Sequence, residues 1–175
     1  MIGDGDPKET DTHWRCSSGE ACFNYRLLFD FQSPCRSKSA KEAYKLKLQL
    51  FDRDLFKSND FICEFELDLA LIVKDCRATQ KPIHLSRKYY SSYFKGASKS
   101  KLDIEFETED SFWLSIKRTN ESKPIRLLLD LRVLPGADAV NQRVGTARSE
   151  PNHSPQLQEP WGRLEMSMNP LKMLG

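Results

Sequence analysis

From Phe23 to Phe31 the chain alternates, with Phe23, Tyr25, Leu27, Phe29 and Phe31 on one face and Arg26 and Asp30 on the other. The same period of two returns in YKLKLQLFD. There Tyr44, Leu46, Leu48 and Leu50 oppose Lys45, Lys47 and Gln49, and Phe51 ends the polar face. FICEFELDL sets Phe61, Cys63, Phe65, Leu67 and Leu69 against Glu64, Glu66 and Asp68. LDIEFETE, FWLSIKR and IRLLLDLRVL repeat the period, the last with Ile125, Leu127, Leu129, Leu131 and Val133 on one side. Strict alternation over several segments predicts half-buried antiparallel strands, hence an all-β fold, a sandwich. Only ELDLALIVKDC departs from it, and predicts a short helix at the end of its strand.

Two stretches interrupt the pattern. Residues near 78–101 are basic and rich in Tyr and Ser, with Arg87, Lys88, Tyr89, Tyr90, Tyr93, Phe94, Lys95, Lys99 and Lys101, and read as an insertion between strands. After Val133 the period is lost and prolines accumulate, which reads as an extended tail or linker over 135–175. The expected organisation is a disordered N-terminus over 1–7, a β domain over 8–134 and a proline-rich segment over 135–175.

Composition narrows the classes. The 175 residues are 39% hydrophobic and 30% charged, which suits one soluble domain with an appendage. Lysine and arginine number 27 against 25 acidic residues, a balance that gives no global attraction for nucleic acid. Five cysteines without a C-x-x-C pair, and only three histidines, point to reduced thiols in a cytosolic setting. The polar, acidic start is no secretory signal, and no run reaches the ~18–20 apolar residues of a membrane span. His13, His84 and His153 are scattered, no nucleophile motif or glycine-rich phosphate loop occurs, and a non-enzyme without a small-molecule substrate is expected. His13 reads as a packed structural histidine within a strand.

Candidate chemistry gathers between two strands, in FDRDLFKSND. Asp52, Asp54 and Asp60 are hard oxygen donors on one loop, a type of ligand that suits Ca²⁺. Acidic turn residues bonding nearby backbone are the plain alternative. A helix–loop–helix calcium loop counted from Asp52 fails, since its glycine position is Lys57 and its twelfth position is Cys63. Leu55, Phe56 and Lys57 form an apolar-basic tip beside the carboxylates, a liability in solution unless it meets lipid or a partner.

FDRDLFKSNDFICEFELDL resembles the second calcium-binding loop of a C2 domain. TDTHWRCSSGEACFNYRLLFDF resembles a strand–loop–strand of the last C2 domain in ferlins, and RSEPNHSPQLQEP resembles the segment joining that domain to the ferlin membrane anchor. The resemblance covers nearly the whole chain, most weakly between Ala78 and Ser111. It implies an antiparallel C2-type β-sandwich lacking its first strands, on the cytoplasmic face of a plasma or vesicle membrane and tail-anchored beyond Gly175. The function it implies is phospholipid binding in calcium-linked vesicle fusion or membrane repair. Asp52, Asp54 and Asp60 would be metal ligands, and Leu55, Phe56 and Lys57 the membrane-facing tip. Cys63 stands where the family has glycine, and three carboxylates from one loop imply a weak or incomplete calcium site.

Lys45 and Lys47, with Lys38 and Lys41 near them, form a second candidate surface for anionic phospholipid, or else a solvated, edge-protecting face. The cation–aromatic insert suits a membrane interface or single-stranded nucleic acid, the latter disfavoured by the charge balance. The competing class is a calcium-independent C2 module that docks a protein partner.

Overall fold

The computed structural model describes residues 1–3, 5–14, 16–30, 44–54, 56–93, 103–116, 123–141 and 157–162. The architecture is mainly antiparallel sheet with few helices, consistent with an incomplete all-β sandwich of the C2 kind. Contacts divide the chain into two compact units, Met1–Pro7 with Asp30–Asn141, and Lys8–Phe29 with Gln142–Gly175. In this division residues 8–29 cluster with 142–175.

In the first unit, β1 (Lys45–Asp52) and β2 (Asp60–Asp68) form an antiparallel hairpin. Leu46, Cys63, Phe65 and Leu67 are buried, as the alternation predicts. The register then shifts: Leu50 pairs Cys63 but Phe51 pairs Phe61, so Ile62 is an extra residue in β2. This bulge reverses the phase of the strand. Ile62 packs against the core, while Phe61, expected inside with Cys63 and Phe65, is 55% exposed.

Helix α1 (Ala70–Thr79) follows at once, confirming the short helix. Leu69, Ile72, Val73 and Cys76 recur at helical spacing and are buried. The Asp68 carboxylate accepts the Ala70 N–H at 2.8 Å, satisfying one orphan donor of the first turn. The helix ends at Gln80, which adopts φ 52°, the left-handed conformation that closes many helices.

Two short strands, β3 (Ile83–His84) and a later β7 (Arg132–Val133), pair with each other. Between them come α2 (Arg87–Tyr93), β4 (Asp103–Phe106), β5 (Ser111–Ile116) and β6 (Ile125–Asp130). The last three make an antiparallel sheet in the order β4-β5-β6, and α3 (Gly136–Asn141) closes the unit. Phe112 and Leu114 from β5 join Phe65 from β2 as the fully buried side chains of one core. At roughly 1.5–3 kcal/mol for each large apolar side chain removed from water, this core supplies the main driving force for the unit.

Part of the expected insertion is therefore built structure. Tyr89 donates its hydroxyl proton to Asp75 at 2.9 Å, and the Tyr90 ring lies 5.6 Å from that of Phe106. Arg87 donates to the Phe106 carbonyl at 2.9 Å. These aromatics and this cation are turned onto the fold, away from a stacking platform. Phe94, Lys95, Lys99 and Lys101 lie outside the described residues.

Met1–Gly3, expected to be disordered, pair with β1. Gly3 N–H donates to the Lys45 carbonyl and Lys47 N–H to the Met1 carbonyl, both at 2.9 Å, and Ile2 bridges Leu46 antiparallel. The cause is the outer edge of β1, whose backbone groups need partners, together with an apolar Ile2 that packs on the core.

In the second unit, neither the strand expected around His13 nor the alternating run that starts at Phe23 forms a strand among the described residues. Their polar groups are satisfied otherwise. The His13 Nδ1 accepts the Cys22 N–H at 3.0 Å, so Nε2 carries the proton and donates to the Gly162 carbonyl at 3.0 Å. Asn24, at φ 41°, breaks the extended run and donates to the Gln158 carbonyl at 3.1 Å. His13 is half-buried and structural as expected, though not within a strand.

Candidate membrane-facing loop

The hairpin ends where Asp52 stands opposite Asp60, two like charges that disfavour each other across the last pair. The connection between them carries Asp54, half-buried, and Lys57. The Lys57 Nζ lies 3.0 Å from the Asp60 Oδ2 and 3.2 Å from the Asp54 Oδ2. The hydrogen bond to Asp60, then that to Asp54 and the two negative charges, raise the lysine pKa above its ordinary value. Asp54 and Asp60 thus converge on an ammonium group. Among the described residues, no three His, Cys, Asp or Glu side chains are grouped to hold a metal ion. The donor chemistry suits Ca²⁺, which takes six to eight oxygens, but the arrangement does not fit it.

The tip beside this cluster is apolar. Phe56 is fully exposed. Behind it Phe51 and Phe61, 50% and 55% exposed, meet edge to face with ring centroids 5.6 Å apart. Three phenylalanines therefore stand at one end of the hairpin, where Phe56 was expected and the other two were not. A signal for Phe51 lay in its place on the polar face of YKLKLQLFD; Phe61 reaches the surface only through the bulge. Leu55 lies outside the described residues.

The lysine face looks different in three dimensions. Lys45 stands opposite Asp68, Lys47 opposite Glu66 and Gln49 opposite Glu64. The Lys45 ammonium is 3.0 Å from Glu66, and Gln49 donates to Glu64 at 2.7 Å. Carboxylates from β2 interleave with the cations of β1, so this face is charge-matched. Lys38 and Lys41 lie outside the described residues. Beside α1, an open groove of about 520 Å³ is lined by Tyr44, Val73, Lys74 and Arg77. No described helix is long and apolar enough to cross a membrane.

Comparison with known proteins finds similar sequences among ferlins. A myoferlin from Xenopus tropicalis is 29% identical over an alignment of 173 positions that covers 87% of this chain and 9% of that protein. Ferlin 1 from Toxoplasma gondii is 29% identical over 150 positions, covering 86% of this chain and again 9% of the relative. The chain thus spans less than a tenth of the length of these two relatives. No protein-family model matches the sequence, and no solved structure matches it significantly. Over 86–87% of its length, this chain is similar to a segment of these two ferlins.

Proposed function

We propose that the chain is a phospholipid-binding C2-type module of a ferlin-like protein, acting at a membrane during fusion or repair. The observation that carries this reading is Phe56, fully exposed at the tip of a well-formed hairpin and backed by the exposed Phe51–Phe61 pair. An apolar cluster of this kind is costly in water and gains free energy by entering the interfacial layer of a bilayer. The partner is an anionic phospholipid surface. Phe56 makes the contact, and Leu55 and Lys57 flank it in the sequence. In the version of this reading linked to calcium, the ion joins Asp52, Asp54 and Asp60 to lipid phosphate, and it must first displace Lys57.

Vesicle co-sedimentation of the full chain with phosphatidylserine-containing vesicles tests the proposal. The chain is expected to pellet with vesicles, and Phe56→Ser to remain in the supernatant with its thermal midpoint unchanged. Equal pelleting of both proteins would remove the tip from the interaction. A second reading, a protein-interaction module independent of calcium, is favoured by the groove beside α1 with its Lys74 and Arg77 rim. Absence of vesicle binding under all conditions would favour that reading.

A further inference from the structure

We propose that Lys57 is the loop's own cation, holding Asp54 and Asp60 together in the place of a metal ion, so that the tip is set in its exposed form without calcium. Lys57 is three positions from Asp54 on one side and three from Asp60 on the other, and the ammonium reaches both carboxylates. An ammonium has three donors in a compact head, enough to bind two carboxylates at hydrogen-bond distance. The two contacts, at 3.0 and 3.2 Å, are of that length. The charge needed to bring Asp60 beside Asp52 and Asp54 is thereby supplied from within the chain.

Position links this device to the tip. Phe56 immediately precedes Lys57, so a lysine drawn back onto the carboxylates leaves the phenylalanine at the apex, where it is fully exposed. The raised pKa of Lys57 is consistent with an ammonium that stays charged at every physiological pH. Calcium has to compete with a tethered cation whose effective concentration is high, and from one loop it is offered few oxygens. Calcium independence of membrane binding rests on the lipid-facing reading above, whereas the role of Lys57 in the loop does not.

The test compares the full chain with Lys57→Met, which keeps the apolar stem and removes the charge, and Lys57→Arg, which keeps the charge. Calorimetric titration with Ca²⁺ and thermal midpoints in Ca²⁺ or chelator are measured for all three. The wild type and Lys57→Arg are expected to give no saturable heat and no shift of midpoint with Ca²⁺. In Lys57→Met the carboxylates lack a cation, so Ca²⁺ is expected to raise the midpoint and chelator to lower it. Saturable Ca²⁺ binding by the wild type would overturn the proposal, as would an identical response of the wild type and Lys57→Met. Co-sedimentation with phosphatidylserine vesicles separates the two ideas. Wild-type pelleting equal in Ca²⁺ and chelator supports both, and pelleting that rises with Ca²⁺ overturns the internal cation. If nothing pellets, the lipid-facing reading fails while the thermal comparison still decides the role of Lys57.

Discussion

Phe65 and Phe51 lie on neighbouring strands and carry the same ring into opposite surroundings: the first is fully buried, the second half open to water. Truncating Phe65 leaves a cavity in the core cluster that also holds Phe112 and Leu114 of β5. Phe65→Ala should cost about 3–5 kcal/mol in urea unfolding. Phe51→Ala loses an edge-to-face partner at the surface and should cost about 1 kcal/mol or less. A comparable loss in both variants would contradict the exposed placement of Phe51. Cys76 offers a second contrast. Burial, and then the charge of Asp138, hold its thiol above the ordinary 9.0, and its Sγ–H points to the Val133 carbonyl at 3.6 Å. The unfolded chain loses this proton first, so native stability should fall as pH rises past 9.0. Thermal midpoints from about pH 8 to about pH 10 should decline less steeply in Cys76→Ala than in the wild type. At neutral pH a thiol reagent should modify exposed Cys16 well before Cys76.

The hairpin's outer edge shows what a short segment can do for an element. Met1–Gly3 satisfy Lys45 and Lys47 and lay Ile2 on the core. Deleting these three residues should destabilise the chain by about 1–2 kcal/mol, the scale of one buried aliphatic side chain. Light scattering should also reveal increased self-association, because an open strand edge is a template for pairing. Most of the elements were legible in the alternation: β1, β2, β4, β5 and β6 lie where the period of two runs, and Leu69, Ile72, Val73 and Cys76 announce α1. FNYRLLFDF alternates equally well and forms no strand among the described residues. A period states which face a strand could bury, and is silent on whether a partner ladder is at hand. The candidate site was half legible. Its carboxylates and Phe56 stand out in FDRDLFKSND, but the closure of Lys57 onto Asp54 and Asp60 depends on how the backbone turns between them. The bulge that exposes Phe61 is a matter of register, which no single strand reveals.

On the scale of the whole molecule, charge is nearly balanced and locally interleaved, with a net formal charge of +2. Lys45, facing Glu66 and Asp68, adds little to any long-range field. If the phenylalanine tip dominates membrane attachment, binding to phosphatidylserine vesicles should weaken only modestly between about 0.1 and 0.5 M salt, in which range a chiefly electrostatic attachment would be largely screened. A salt response steeper than the loss caused by Phe56→Ser would shift the weight to the basic residues. The extra residue at Ile62 matters for a different quantity. A regular two-stranded ladder can slip by two residues and keep its side chains on the same faces, which makes an ordinary hairpin yield under shear. Here any slip would part the Phe51–Phe61 rings and pull Ile62 from the core, so the register is keyed. A hairpin anchored at its tip and loaded along its strands would then transmit tension to the core as a rigid rod instead of creeping.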